Sequence, residues 1–226
     1  VKSQRMKTDL ISNVSHDLKT PLTAIITYVD LLKDENLSQE KRKQYIEIVD
    51  RKSQRLQNLI EDLFEMSKAS SGNITLNIED VDIVSLMKQT LFELDDKIKA
   101  SSLTFKNNFP EEKVVLQLDS QRTFRIFENI IINATKYAMP NSRVYLDIIE
   151  REENVEVIMK NMASEEIDFN PNEIVERFVR GDESRNTEGS GLGLAIAKSF
   201  VELQGGSFKI EVDGDLFKVI MNFKKN

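Results

Sequence analysis

Cysteine is absent from the 226 residues, and histidine occurs once, as His16. Without thiols the chain can form neither a disulfide nor a thiolate metal site, a composition compatible with a reducing cytosol. Long apolar runs are missing as well. No window approaches eighteen consecutive apolar residues, so the sequence predicts no membrane-spanning helix. It carries no secretory signal pattern, no internal repeat and no low-complexity segment. Lys and Arg number 31 against 38 Asp and Glu, a net charge of −7, which argues against nucleic acid as a direct partner because its phosphates are repelled overall. What is present is 40% hydrophobic residues, enough for a core, in a length that suits one large or two ordinary domains. The chain opens on Val1 rather than Met, and its first residues already read as helix, so it is expected to be a piece of something longer upstream.

The single histidine stands in Val14-Ser15-His16-Asp17-Leu18-Lys19-Thr20-Pro21-Leu22. Leu10, Ile11, Val14, Leu18, Leu22, Ile25 and Val29 recur at threes and fours around it, predicting a helix from about 4 to 33 with that set as its seam. His16 falls off the seam, on an outer or flanking surface. A lone helical His is ordinarily a solvated polar group. Here a carboxylate, Asp17, follows directly and is able to orient the imidazole or take its proton. Pro21 sits inside a continuing apolar pattern and deprives the carbonyl of Asp17 of its helical donor, so a bend is expected beside the histidine.

A polar break at residues 34–38 ends in Ser38, a good N-cap, and Lys41 to Ser67 resumes a helical seam through Tyr45, Val49, Lys52, Leu56, Leu59, Leu63 and Met66. Two long helices with a short connection make an antiparallel hairpin. A hairpin cannot bury both seams alone, and a second copy completing a four-helix bundle is the economical solution. Ser70-Ser71-Gly72-Asn73 reads as a linker, giving domains 1–70 and 74–226. Beyond it the pattern is mixed. Strands are predicted at 75–78, 103–109, 114–118, 144–149, 155–160, 208–212 and 217–223. Helices are predicted from Asp82 to about Ile98, from 119 or 120 to Tyr137, at 171–178 and at 192–203. Without strict alternation of strand and helix, this is an α/β sandwich with one sheet covered on one face by helices.

Two stretches of the second domain carry nucleotide chemistry. In Phe127-Glu128-Asn129-Ile130-Ile131-Ile132-Asn133-Ala134-Thr135-Lys136-Tyr137, Asn129 and Asn133 are four apart and share a helix face with Lys136. Asn is a poor interior helix residue, so two on one stripe of an apolar helix ask for a role. Amide oxygens ligate Mg²⁺, and Lys136 offers a point charge to phosphate. In Gly189-Ser190-Gly191-Leu192-Gly193-Leu194, alternate glycines open a helix, letting backbone approach phosphate at a free, positive helix end. No strand directly precedes this turn and no Gly-Lys-Ser/Thr follows, so it is neither the dinucleotide fingerprint nor the P-loop.

Taken together, these motifs resemble bacterial two-component sensor histidine kinases across essentially the whole chain. The segment from Ser15 to Leu22 looks like the H-box. The asparagine helix and the glycine turn look like the N-box and G2-box of the Bergerat-type ATP-binding fold, and Val175-Glu176-Arg177-Phe178-Val179-Arg180 looks like the F-box. The resemblance implies a dimeric four-helix bundle followed by a Bergerat α/β sandwich. It implies His16 as phosphoacceptor with Asp17 as its orienting acid, and Thr20 positioning a hydrolytic water in a reverse, phosphatase reaction. It implies ATP held by Asn129, Asn133, Lys136, Tyr137, Asn161, Arg177, Arg180, Gly189, Gly191, Leu192, Gly193 and Leu194, with Mg²⁺ on Asn133. Its partners are a second copy and the receiver domain of a response regulator, docking around Ala24, Thr27 and Tyr28. The expected place is the cytoplasmic side of a membrane to which the longer protein is anchored. One box departs from the family. Where Asp-x-Gly is usual after the strand ending near 160, the chain reads Asn161-Met162-Ala163, implying weaker ATP binding and leaving an ATP-binding pseudokinase scaffold as the alternative.

Overall fold

The computed structural model describes residues 18–70, 75–167 and 192–225. It divides into two compact units, Val1–Lys68 and Ala69–Asn226.

In the first unit, α1 (18–32) and α2 (Gln39–Ser70) form a hairpin. Their connection is fixed by polar groups. The Ser38 hydroxyl accepts the Lys41 amide at 3.3 Å, capping α2. From the first turn of α2, the Arg42 guanidinium donates to the carbonyls of Leu32 (3.1 Å) and Asp34 (3.2 Å), satisfying groups that the end of α1 leaves open. The Tyr28 and Tyr45 rings meet at 5.2 Å across the pair. Pro21 lies within the first described turn of α1 and is buried; the carbonyl of Asp17, on which the expected bend depends, lies outside the described residues.

The seam of α2 is the expected one through Leu63, with Leu59 buried and Tyr45, Val49, Lys52 and Leu56 half-covered; the Met66 side chain lies outside the description. The seam of α1 differs from the expectation. The covered positions are Leu18, Pro21, Ile25, Tyr28 and Leu32, a three-four repeat, whereas Leu22 and Val29 are 46% and 41% exposed. They belong with Ile26 to a second stripe, one residue round the helix, matched on α2 by Ile46, Ile60 and Phe64, all exposed.

The second unit runs β1 (Ile78–Asp82), α3 (Ile83–Glu93), α4 (Asp95–Ala100), β2 (Thr104–Asn108), β3 (Val115–Asp119), α5 (Ser120–Tyr137), β4 (Arg143–Glu150), β5 (Asn154–Met162), α6 (Gly193–Leu203), β6 (Ser207–Asp213) and β7 (Leu216–Lys224). A five-stranded sheet has the order β2-β4-β5-β7-β6, with β2 parallel to β4 and the other pairs antiparallel. The expected single sheet is corrected in one respect: β1 and β3 form a separate antiparallel pair. The expected strand at 75–78 begins instead at Ile78, and the helix expected to Ile98 breaks at the buried Leu94, with α4 starting afresh on Asp95 and Asp96.

Register places Val144, Leu146 and Ile148 of β4, Val155, Val157 and Met159 of β5, and Val219, Met221 and Phe223 of β7 on one face, all buried. Alternation makes this the apolar side; α3, α5 and α6 supply the rest of the core, including Met87, Phe127 and Phe200. The opposite face is mixed, with Ile149, Ile158 and Ile220 half-covered among charge pairs, Lys160 with Asp147 at 2.8 Å and Lys218 with Glu211 at 3.1 Å. Asp119 caps α5 by accepting the Arg122 amide at 3.0 Å, and Gln204, just past α6, accepts the Asp119 amide at 2.7 Å, tying the two helices end to end.

Candidate functional site

The inner stripe of α5 (Ile126, Phe127, Ile130, Ile131, Ala134) is fully buried, which fixes the helix's rotation and sets Asn129 and Asn133 together on its flank. Asn129 meets the start of α6. A Cβ added to Gly193 would lie 3.0 Å from Asn129 Oδ1, so the glycine is what lets the amide lie against the backbone there. Asn129 Nδ2 is buried with no hydrogen-bond partner among the described residues. Asn133 and Tyr137 are half-covered and Lys136 is exposed. Leu192 and Leu194 are buried and anchor the start of α6, whose N-cap, Leu192, supplies no side-chain hydrogen bond.

The far end of α5 is sewn to the end of β5. Met139 N–H donates to the Met162 carbonyl at 2.8 Å, Ser164 N–H to the Tyr137 carbonyl at 2.9 Å, and Ala138 bridges to Ala163. Asn161, the last inward-facing residue of β5, stands on the buried face between Val144 on β4 and Phe217 on β7 and is 3% exposed. Its Nδ2 donates to the Met162 carbonyl at 3.3 Å, while Oδ1 is buried with no partner among the described residues. A buried acceptor without a donor costs on the order of 1–3 kcal/mol and asks for a partner; Arg55 Nε, Ser142 Oγ and Asn154 Oδ1 are in the same state, and what sets Asn129 and Asn161 apart is their place at the start of α6 and the far end of α5. These orphaned amides suit a nucleotide, whose base carries donors and whose phosphates accept N–H groups.

Thr20 is exposed in the first described turn of α1. His16, Asp17, Arg177, Arg180, Gly189 and Gly191 lie outside the described residues, as does the helix expected at 171–178. The structure thus brings together Asn129 with Gly193, and the end of α5 with Asn161. The backbone carbonyl of Met162 is a site group for which the sequence carries no signal, since every residue owns one.

Comparison with known proteins follows the same division. Residues 6–72 match the His Kinase A (phospho-acceptor) domain, and residues 118–225 match the Histidine kinase-, DNA gyrase B-, and HSP90-like ATPase domain. Together these define a phosphoacceptor hairpin joined to an ATPase-type unit. The chain belongs to the sensor histidine kinases. The sensor protein VanSC of Enterococcus gallinarum is 34% identical over 213 residues, covering 93% of this chain and 58% of VanSC, so the chain spans little more than half of that relative. Among solved structures, Acinetobacter baumannii histidine kinase AdeS has a TM-score of 0.75 at 16% identity, covering 93% of this chain and 98% of that one. Histidine kinase ThkA, in complex with response regulator protein TrrA, has a TM-score of 0.77 at 19% identity, covering 100% of this chain and 64% of that one. Likenesses at such identities carry the fold.

Proposed function

We propose that the chain is the catalytic portion of a sensor kinase that phosphorylates its own His16 from ATP and passes the phosphoryl group to an aspartate of a receiver domain. The observation that carries this is the pair of buried amide atoms without a partner among the described residues, Asn129 Nδ2 and Asn161 Oδ1, in a unit matching the Histidine kinase-, DNA gyrase B-, and HSP90-like ATPase domain. Asn161 accepts the exocyclic amine of adenine. Asn129, Lys136 and the start of α6 at Leu192-Gly193-Leu194 face the phosphates, joined by Gly189, Gly191, Arg177 and Arg180, with Tyr137 closing the end of α5. Asn133, through its amide oxygen, would hold Mg²⁺, which would offset negative charge on the phosphates.

The neutral imidazole of His16 attacks the γ-phosphorus in line through Nε2. The N–P bond forms as the bond to the ADP oxygen breaks, and Asp17 accepts a hydrogen bond from Nδ1–H and holds that tautomer. Thr20, one turn further along, orients water in the reverse reaction on the phosphorylated receiver. The exposed stripe on α1 and α2 is the surface on which two hairpins make the four-helix bundle. The structure of ThkA with a response regulator protein supports a receiver domain as partner; its docking place on this chain is proposed to be the hairpin around Ala24, Thr27 and Tyr28. The longer protein is anchored at a membrane with this portion on the cytoplasmic side.

The test is incubation with γ-labelled ATP and Mg²⁺. Label that is acid-labile, base-stable and absent from His16→Gln is expected; label retained by that variant removes His16 from the reaction. A protein that binds ATP and takes up no label is the pseudokinase instead. In a second stage with phosphorylated receiver, Thr20→Ala should slow the loss of label from the receiver, and an unchanged rate refutes its role.

A further inference from the structure

The start of α5 is held to the end of α6 by a polar clasp centred on Gln204. Its Oε1 accepts the Asp119 N–H at 2.7 Å and the Thr123 hydroxyl at 3.3 Å, and its Nε2 donates to the Phe200 carbonyl at 3.1 Å. An N–H only donates and a carbonyl only accepts, so the two backbone groups fix which way the amide faces. The Gln204 N–H turns to the Glu202 carbonyl, and the side chain takes up the Phe200 carbonyl, one of the groups a helix end leaves open. Asp119 and Thr123 are 5% and 0% exposed, and the Arg122 guanidinium lies 5.3 Å from the centre of the Phe200 ring, closing the same corner. These helices also meet at Asn129 and Gly193. That contact lies ten residues along α5 from Asp119 and eleven back along α6 from Gln204, about 15–17 Å in each case, so the helices run antiparallel between two pinned ends. The apolar packing of Ile196, Ala197 and Phe200 settles which face α6 buries, but it is non-directional; hydrogen bonds specify position along the axis. The fit at Gly193, where an added Cβ would lie 3.0 Å from Asn129 Oδ1, is sensitive to a slide of a fraction of the about 1.5 Å between successive helix residues.

We propose that Gln204 is a positioning residue for the phosphate end of the nucleotide site: by fixing where α6 starts along α5, it holds Gly193 and the helix start against Asn129. The inference rests on the nucleotide reading above and adds to it a residue at the opposite end of α6 that touches no ligand. Without the clasp, the Asp119 N–H and the Thr123 hydroxyl lose their acceptor in a buried corner, and α6 shifts along α5 as that corner rearranges.

The experiment is a double-mutant cycle of Gln204→Met and Gly193→Ala in the whole chain, read as calorimetric affinity for ATP with Mg²⁺, alongside melting temperatures in the absence of nucleotide. Changes this far apart normally add, so coupling between them reports a transmitted displacement rather than a general weakening. Gln204→Met keeps the length of the side chain and removes its hydrogen bonds. It should melt at a lower temperature and bind ATP about ten-fold more weakly, and in the Gly193→Ala background it should cost no more than about two-fold further. If Gln204→Met does not fold, Thr123→Val, which removes one donor to the same oxygen, takes its place in the cycle, with a loss of about five-fold alone and no more than about two-fold in the double variant. Unchanged ATP affinity in the clasp variant, or losses that multiply in the double variant, overturns the proposal while leaving the nucleotide reading intact. A wild type that does not bind ATP ends the nucleotide reading itself.

Discussion

A lysine at position 26 tests the hairpin as an assembly surface. Leu22, Ile26, Val29, Ile46, Ile60 and Phe64 are each between 41% and 63% exposed, so about half of each side chain remains to be covered. Full burial of such a side chain is worth about 1.5–3 kcal/mol, so completing it adds about 1 kcal/mol per residue. Two copies of the stripe supply on the order of 12 kcal/mol against an association cost of about 4–15 kcal/mol, so the pair holds only if most of the stripe is used. Ile26→Lys removes about 1 kcal/mol per subunit and sets an ammonium without a partner in an apolar seam, a further cost of about 2 kcal/mol even where the long side chain reaches partly to water. Two-fold symmetry counts each change twice. The total, about 6 kcal/mol, weakens the dimer by about four powers of ten. Sedimentation equilibrium reads this directly, with Thr23→Lys, exposed and off the stripe, as control. An Ile26→Lys protein that dimerises as tightly as the control refutes the assignment of the stripe.

At the start of α6, Gly193→Ala should lower ATP affinity about ten-fold, because the new methyl lies 3.0 Å from Asn129 Oδ1 and displaces that amide. Alanine also favours helix over glycine by about 1 kcal/mol, so the melting temperature should hold or rise; affinity and stability moving down together contradicts the contact. Asp82 predicts an acid response. Partial burial pushes its carboxyl up, but donation from the Ser85 hydroxyl and from the amides of Val114, Ser85 and Val84 outweighs this and holds it below its ordinary 3.8. An acid held low in the folded state contributes stability above its unfolded value, and that contribution is lost as pH falls through the folded one. Melting temperature should therefore drop as pH is lowered below about 4, and Asp82→Asn, which still caps α3, should reduce the slope of that drop; an unchanged slope contradicts it.

The elements that position the site were legible because their pattern is strong. The buried stripe of α5 repeats at helical spacing, and the two asparagines interrupt it on one flank, so the sequence alone puts Asn129 and Asn133 together. Asp82 and Asp119 announce the helices they cap. The seam of α1 was not legible to the residue. Apolar side chains fill two adjacent stripes, one covered within the hairpin and one left outside, and a spacing of threes and fours fits either. Leu22 and Val29 therefore read as seam, although Pro21 and Tyr28 occupy it. Nor does sequence separate β1 and β3 from the main sheet, since alternation fixes faces and says nothing of which strands are neighbours. The direction of the Asn161 amide depends on a backbone carbonyl and was beyond any reading of side-chain types.

Gly206 has the least room of the described glycines: a methyl there would come within 2.5 Å of the Asn222 carbonyl and 2.9 Å of Val201. The chain leaves α6 and enters β6 through that point, so the helix whose first residue touches Asn129 is moored at its other end directly against the sheet. The eleven residues of α6 thus span from the amide of Asn129 to an interior strand of the sheet, β7, so the two ends of one short helix tie the candidate site to the core.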